Sequence, residues 1–243
     1  MLKSILQKDK TIVNNQKKTI SIIVPFFNEQ ETIKEVILSL ISQNFINKII
    51  LVNDGSTDNS LNIAKTLKNE FKNIQLISND KNYGKGHAIH SGIKLVNTEL
   101  IGIFDADLEY SSADLKNIYD YIQSKDYDFV CGSRFLGAMS RKNIYLRTYL
   151  ANQFLSRLFS ITYKNKITDV ATCLKVFKTN LINEVILTEN GFAIEIELLA
   201  KCIKKSSKYF EVPITYNGRT YKEGKKIKFI DGIRYIFAIF KYR

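Results

Sequence analysis

Residues Leu100–Asp107 read LIGIFDAD, an apolar run of strand length that stops on two carboxylates, Asp105 and Asp107. Toward the N-terminus, three earlier runs have the same form. TISIIVPFF (Thr19–Phe27) leads into Asn28 and Glu29, KIILVND (Lys48–Asp54) ends on Asn53 and Asp54, and NIQLISN (Asn73–Asn79) leads into Asp80. All are rich in β-branched and aliphatic residues, the pattern of strands buried on both faces. Helical spacing fills the gaps. NEQETIKEVILSLISQ carries Ile33, Val36, Ile37, Leu40 and Ile41; STDNSLNIAKTLKNEF opens on the capping residues Ser56, Thr57 and Asp58; GHAIHSGIKLV completes the set. This alternation predicts an α/β fold with a Rossmann-like, mostly parallel central sheet and helices on both faces. Such sheets bind ligands at the carboxyl ends of their strands, so the four polar strand ends are expected to face one crevice.

The second half is less regular. DYDFVCGSRF, ATCLKVFKT and KYFEVPITYN read as strands, the last at an edge or bulge because of Pro213. IYLRTYLANQFLSRLFSITY and GFAIEIELLAKCIKK read as helices, and KKIKFIDGIRYIFAIFKYR as a C-terminal amphipathic one. Without a linker or repeat, the expected organisation is a tail over 1–18, one main domain over 19–224, and an amphipathic segment of that domain over 225–243. The composition, 45% hydrophobic and 25% charged, excludes a disordered chain. Cys131, Cys173 and Cys202 are scattered without CxxC spacing, which argues for reduced thiols and against structural zinc. A net charge of +12 fits either an anionic partner or a lysine-rich solvated surface. The N-terminus has no signal-peptide pattern, and no stretch approaches the roughly 18–20 apolar residues of a membrane span. The expectation is a soluble chain or one lying on a membrane.

Asp105-Ala106-Asp107 carries the strongest chemical signal. Residues two apart in a strand project to one side, and paired carboxylates there call for a cation. Mg²⁺ and Mn²⁺ take oxygen ligands and share them with substrate phosphates; Glu109 continues the alternation. The competing reading is a pair of solvated loop acids. In VNDGSTD (Val52–Asp58), capping explains Ser56 to Asp58, whereas Asp54 is expected to point into the crevice toward a base or ribose. NYGKGHA (Asn82–Ala88) is neither a P-loop nor a dinucleotide fingerprint, but its two glycines permit close backbone approach to a ligand. Arg134, Arg147, Arg219, Lys225 and Lys226 are either phosphate-binding groups or surface charge.

Together PFFNE, VNDGSTD, NYGKGHA, DADLEY, GSRF, TDVATCLKVF and EVPITYNGRTYKEGKKI resemble the family 2 glycosyltransferases, closest to the dolichol-phosphate mannose synthase-like branch. The resemblance covers Thr19 to the C-terminus. It implies a GT-A fold and metal-dependent, inverting transfer of a sugar, mannose from GDP-mannose being favoured, to a polyprenyl phosphate. Carried over position by position, it implies donor binding by Pro25, Phe27, Glu29, Val52, Asp54, Lys85, Asp105, Ala106, Asp107, Arg134, Arg219 and Lys225. It further implies acceptor-phosphate binding by Arg134, Arg147 and Arg219, catalytic roles for Asp105, Asp107 and Arg134, and Mg²⁺ or Mn²⁺ on Asp107 and Glu109. Phe27 stands where Tyr is commoner, and Ala151 where related enzymes can carry Ser. The implied setting is cytoplasmic and peripheral, at an anionic membrane surface, with no nucleic-acid partner.

Two other functions compete with this one. The first is a family 2 transferase that uses a UDP-sugar and another lipid or glycan acceptor. The second is a non-catalytic basic module for membrane or nucleic acid. The latter is disfavoured because no nucleic-acid motif is present and the crevice acids repel phosphate unless a metal intervenes.

Overall fold

The computed structural model describes residues 17–137, 139–183, 185–220, 224, 226 and 229–243. Seven strands form one sheet: β1 (Ile20–Phe26), β2 (Lys48–Asn53), β3 (Ile74–Ser78), β4 (Leu100–Ile103), β5 (Phe129–Ser133), β7 (Lys175–Lys178) and β8 (Tyr209–Pro213). Their order is β3-β2-β1-β4-β7-β5-β8, parallel throughout except for β7, which runs antiparallel to β4 and β5. β1 and β4 are buried at every residue, as their almost wholly apolar sequences require, and the one polar residue, Ser21, accepts from the Thr98 hydroxyl. Pro213 ends the edge strand β8, where a missing N–H costs no ladder bond.

The helices are α1 (Ile33–Ile41), α2 (Ser60–Glu70), α3 (Lys85–Ile93), α4 (Ser112–Lys125), α5 (Leu146–Tyr163), α6 (Ile194–Lys205) and α7 (Phe229–Lys241). The sequence reading assigns nothing to α4. Ser111 Oγ caps it by accepting from the Ala113 N–H, and Leu115, Ile118, Tyr119 and Ile122 are buried at helical spacing. A short parallel pair, β6 (Arg141–Lys142) with β9 (Tyr216–Asn217), anchors the segment that leads to Arg219.

β1, β2 and β3 step outward in one direction, and β4 then pairs with the opposite edge of β1. That reversal opens a crevice beyond the carboxyl ends of β1 and β4, the place where open α/β sheets bind ligands. PFFNE and DADLEY both end there. Among the described residues, no helix is long and apolar enough to cross a membrane.

Candidate active site

The crevice deepens into a cavity of about 590 Å³. Six carboxylates line it (Glu29, Asp54, Asp105, Asp107, Glu109 and Glu195) against four cations, Lys85, Arg134, Arg219 and Lys226. The described lining therefore carries a formal excess of two negative charges within a chain of net charge +12.

Asp105 and Asp107 are not presented as a strand pair. β4 ends at Ile103, and the chain turns through Leu108 at φ 61°, left-handed backbone that costs a leucine of order 1–3 kcal/mol. Both aspartates lie beyond the strand, and the turn that follows them, rather than strand alternation, sets Asp107 beside Glu109. Asp105 faces Lys85, whose Nζ lies 2.7 Å from its Oδ1 and 2.9 Å from Glu195 Oε1, the latter an ion pair by distance without hydrogen-bond alignment. Lys175, fully buried, holds the other Glu195 oxygen at 2.5 Å. Burial works to raise the Asp105 carboxyl, but Lys85, together with Cys173 and Lys175, holds the group below its ordinary value.

Asp107 is the opposite case. Burial, then repulsion from Asp105 and Glu109, pushes its carboxyl up to about 8 despite Arg219 Nη2 at 3.1 Å. Glu109 accepts from the Arg219 N–H at 2.8 Å and from the Tyr216 hydroxyl at 2.7 Å, and its own N–H donates to Asp107 Oδ1. Asp107 and Glu109 thus form an under-compensated pair that fits one divalent cation. Among the described residues no group of three or more His, Cys, Asp or Glu side chains could hold a metal. Two carboxylates plus substrate phosphate oxygens is the usual Mg²⁺ arrangement.

Glu29 is set by the turn after β2. The N–H groups of Asn28, Glu29 and Gln30 donate in succession to Ser56 Oγ, Ser60 Oγ and Asp58 Oδ2. Ser56 and Asp58 therefore brace the neighbouring turn, and α2 starts only at Ser60. Arg219 grips Glu29 through both Nη atoms, at 2.8 and 3.1 Å, and Lys226 contacts Glu29 and the Phe27 carbonyl. Arg219 Nε is buried without a hydrogen-bond partner. Arg134 is fixed by the buried Asp169 through Nε at 2.7 Å and Nη2 at 2.8 Å, with its guanidinium 4.9 Å from the Tyr216 ring centroid.

Several expected residues are engaged by the protein itself or lie outside the cavity lining. Asp54 lines the cavity, but its carboxylate accepts from Asn79 Nδ2 and from the N–H groups of Tyr83 and Gly84, so it orders the loop before α3. Val52 is fully buried and packs beneath α3 near Gly92 rather than lining the cavity. The glycines of NYGKGHA answer to the protein's own backbone: a Cβ on Gly84 or Gly86 would lie 2.4 Å from the Asn190 oxygen or 1.9 Å from the Glu189 oxygen. Asn53, Asn79 and Asp80 are absent from the cavity lining, and Asn53 spends its Nδ2 on Ser78. Arg147 is exposed, outside the lining and 5.8 Å from the Tyr145 ring centroid; Ala151 is exposed as well. Lys225 lies outside the described residues. Pro25, Phe27, Glu29, Lys85, Asp105, Ala106, Asp107, Glu109, Arg134 and Arg219 do converge.

Glu195, Asp169 and Glu197 were not singled out from sequence. Their signal was an acid within an otherwise apolar segment, which must find a partner when buried. Glu197, fully buried on α6, accepts from the N–H groups of Thr188 and Glu189 and so holds the segment that presses on Gly84 and Gly86.

Residues 21–186 match the family described as glycosyl transferase family 2. The chain belongs to that family. It is 28% identical to glycosyltransferase AglJ of Haloferax volcanii over 82% of this chain and 63% of that protein. To the UDP-N-acetylglucosamine–dolichyl-phosphate N-acetylglucosaminyltransferase of Methanococcus voltae it is 27% identical, over 81% of this chain and 85% of that protein. To the dolichol-phosphate mannosyltransferase of Pyrococcus furiosus it is 25% identical, over 92% of this chain and 64% of that protein. The chain thus spans less than two thirds of AglJ and of the Pyrococcus enzyme. Glucosyl-3-phosphoglycerate synthase of Mycobacterium tuberculosis, crystallised with Mn²⁺, UDP and glucosyl-3-phosphoglycerate, superposes with a TM-score of 0.71 at 15% identity, over 93% of this chain and 80% of that one. The family 2 chain shares its GT-A fold.

Proposed function

We propose that this protein transfers a sugar from a nucleotide-sugar donor to a polyprenyl phosphate at the cytoplasmic face of a membrane, with Mg²⁺ or Mn²⁺ held by Asp107 and Glu109. The observation that carries the proposal is the excess of carboxyl groups over cationic side chains, with Asp107 crowded by Asp105 and Glu109, in a cavity large enough for a nucleotide sugar. A divalent cation would offset that excess for an anionic donor. Two of the relatives named above carry a dolichyl or dolichol phosphate in their names with different sugars, N-acetylglucosamine and mannose, which supports the acceptor class over any one sugar. Mannose from GDP-mannose is the sugar favoured by the family resemblance.

A bound cation supplies charge neutralisation to the departing nucleoside diphosphate. The remaining work is positioning. A phosphate monoester is already anionic near neutral pH, so the nucleophile needs no general base. Arg134, locked by Asp169, presents a pre-oriented guanidinium to phosphate oxygens, and Arg219 with Lys226 supplies further charge on the Glu29 side. Attack opposite the leaving group inverts the anomeric centre.

A thermal-shift panel of nucleotide sugars with Mn²⁺ tests the donor half. A ligand at about 100 times its Kd stabilises by roughly 2.7 kcal/mol. One or more donors should raise Tm in Mn²⁺ and not in chelator; a panel without any metal-dependent shift would contradict the proposal.

A further inference from the structure

Behind Arg134, three of the sequence motifs meet: GSRF at the end of β5, TDV (Thr168–Val170) in the loop after α5, and EVP (Glu211–Pro213) on β8. β8 lies parallel to β5, with Glu211 opposite Cys131 and Pro213 opposite Ser133, so the edge strand runs beside the segment that carries Arg134. The Ile214 N–H donates to the Ser133 carbonyl at 3.1 Å and continues that pairing past the end of the strand.

Glu211 is absent from the cavity lining, and both of its carboxylate oxygens are taken by one dipeptide. Oε1 accepts from the Asp169 N–H at 3.2 Å, and Oε2 from the Thr168 N–H at 2.9 Å and the Thr168 hydroxyl at 3.0 Å. That hydroxyl has one proton, which goes to Glu211, so Ser133 Oγ is the donor in its 2.7 Å contact with Thr168 Oγ1. Asp169, fully buried, turns its carboxylate to Arg134. Its Oδ2 accepts from the Arg134 backbone N–H at 3.0 Å as well as from Nε, and its Oδ1 from Nη2 and from Asn152 Nδ2. Arg134 is therefore held, backbone and guanidinium together, by a residue whose own backbone is held by Glu211.

An acid is a costly choice at this place. Burial pushes the Glu211 carboxyl up, and Asp169 adds repulsion. Its hydrogen bonds come from backbone and hydroxyl groups, with no cation among them in the described residues. Taking the carboxyl away, however, strips the Thr168 and Asp169 N–H groups of their acceptor.

We propose that Glu211 is a positioning residue: through the Thr168 and Asp169 backbone it fixes the Asp169 carboxylate, and so aims the Arg134 guanidinium into the cavity from outside it. Its effect on transfer rests on the reading of Arg134 as a phosphate-binding group, but the aim of Arg134 is measured without substrate.

The experiment compares the full chain with Glu211→Leu, which has no acceptor, and Glu211→Gln, which keeps one, each checked for folding by melting. The Arg134 Nε–H signal is identified in heteronuclear NMR spectra by its absence from Arg134→Lys. Its exchange with water should be at least about tenfold faster in Glu211→Leu than in wild type, with Glu211→Gln between them. In transfer, kcat/KM for the lipid phosphate should fall about tenfold in Glu211→Leu. In an Arg134→Lys background the same change should cost less than about twofold, because the fork that Glu211 aims is gone. A merely structural Glu211 would instead add its kinetic loss in full in both backgrounds. Unchanged Nε–H exchange in the variants, or additive kinetic losses, would overturn the proposal. If Glu211→Leu does not fold, Glu211→Gln decides by the same two readouts. Faster Nε–H exchange in the variants with no transfer by wild type would sink the enzymatic reading and leave the positioning role standing.

Discussion

Arg219 bridges Glu29 and Asp107, bonding both Glu29 oxygens and reaching Asp107 Oδ2 at 3.1 Å. One guanidinium thereby ties the turn after β1 to the turn after β4 across the switch point of the sheet. Its backbone N–H also fixes Glu109, so it orders both carboxylates assigned to the cation.

Arg219→Lys keeps the charge and loses the fork. Affinity for a nucleoside diphosphate in Mn²⁺ should fall about tenfold or more, roughly 1.4 kcal/mol, by calorimetry. An unchanged Kd would confine Arg219 to the acceptor.

Gly86→Ala puts a methyl group into the Glu189 carbonyl, a backbone contact that no rotamer change relieves. Unfolding in urea should show a loss of about 1–3 kcal/mol or more. Gly191→Ala, whose Cβ meets nothing within 4 Å, serves as the control and should lie within about 1 kcal/mol of wild type.

Glu211 gives a pH signature away from the cavity. Burial pushes its carboxyl up to about 7, although the N–H groups of Thr168 and Asp169 donate to it. Its folded value exceeds the unfolded one, so its contribution to stability is fully present below about pH 4.5 and is lost as pH rises through about 7. Glu211→Gln, a mimic of the neutral form, should flatten the decline of Tm across that window in metal-free buffer. Parallel profiles for the two proteins would show that Glu211 does not titrate there.

Much of this architecture is legible in the sequence because it is periodic. The apolar runs ending at Phe26, Asn53, Ser78 and Ile103 are strands, and their order of connection places the crevice. Chemistry at the strand ends is partly legible: Glu29, Asp54, Asp105 and Asp107 all reach the cavity. What periodicity hides is which polar groups the loops consume. Asp54 is taken by the Tyr83 and Gly84 N–H groups, and Val52 by the core. Arg134 finds its partner at Asp169, 35 positions away, a pairing set by tertiary approach and not by local spacing. Leu108 is the clearest case, because nothing in DADLEY announces left-handed backbone at a branched residue, yet that turn sets Asp107 beside Glu109.

The account is tested most directly by following radiolabelled sugar from a nucleotide-sugar donor into extracted polyprenyl phosphate, with wild type and Asp107→Asn side by side in Mn²⁺. The account predicts labelled lipid with wild type for at least one donor. It also predicts loss of that label when lipid phosphate is omitted, when the metal is chelated, and in the folded Asp107→Asn variant. Label that persists in chelator, or in Asp107→Asn at the wild-type rate, would contradict it.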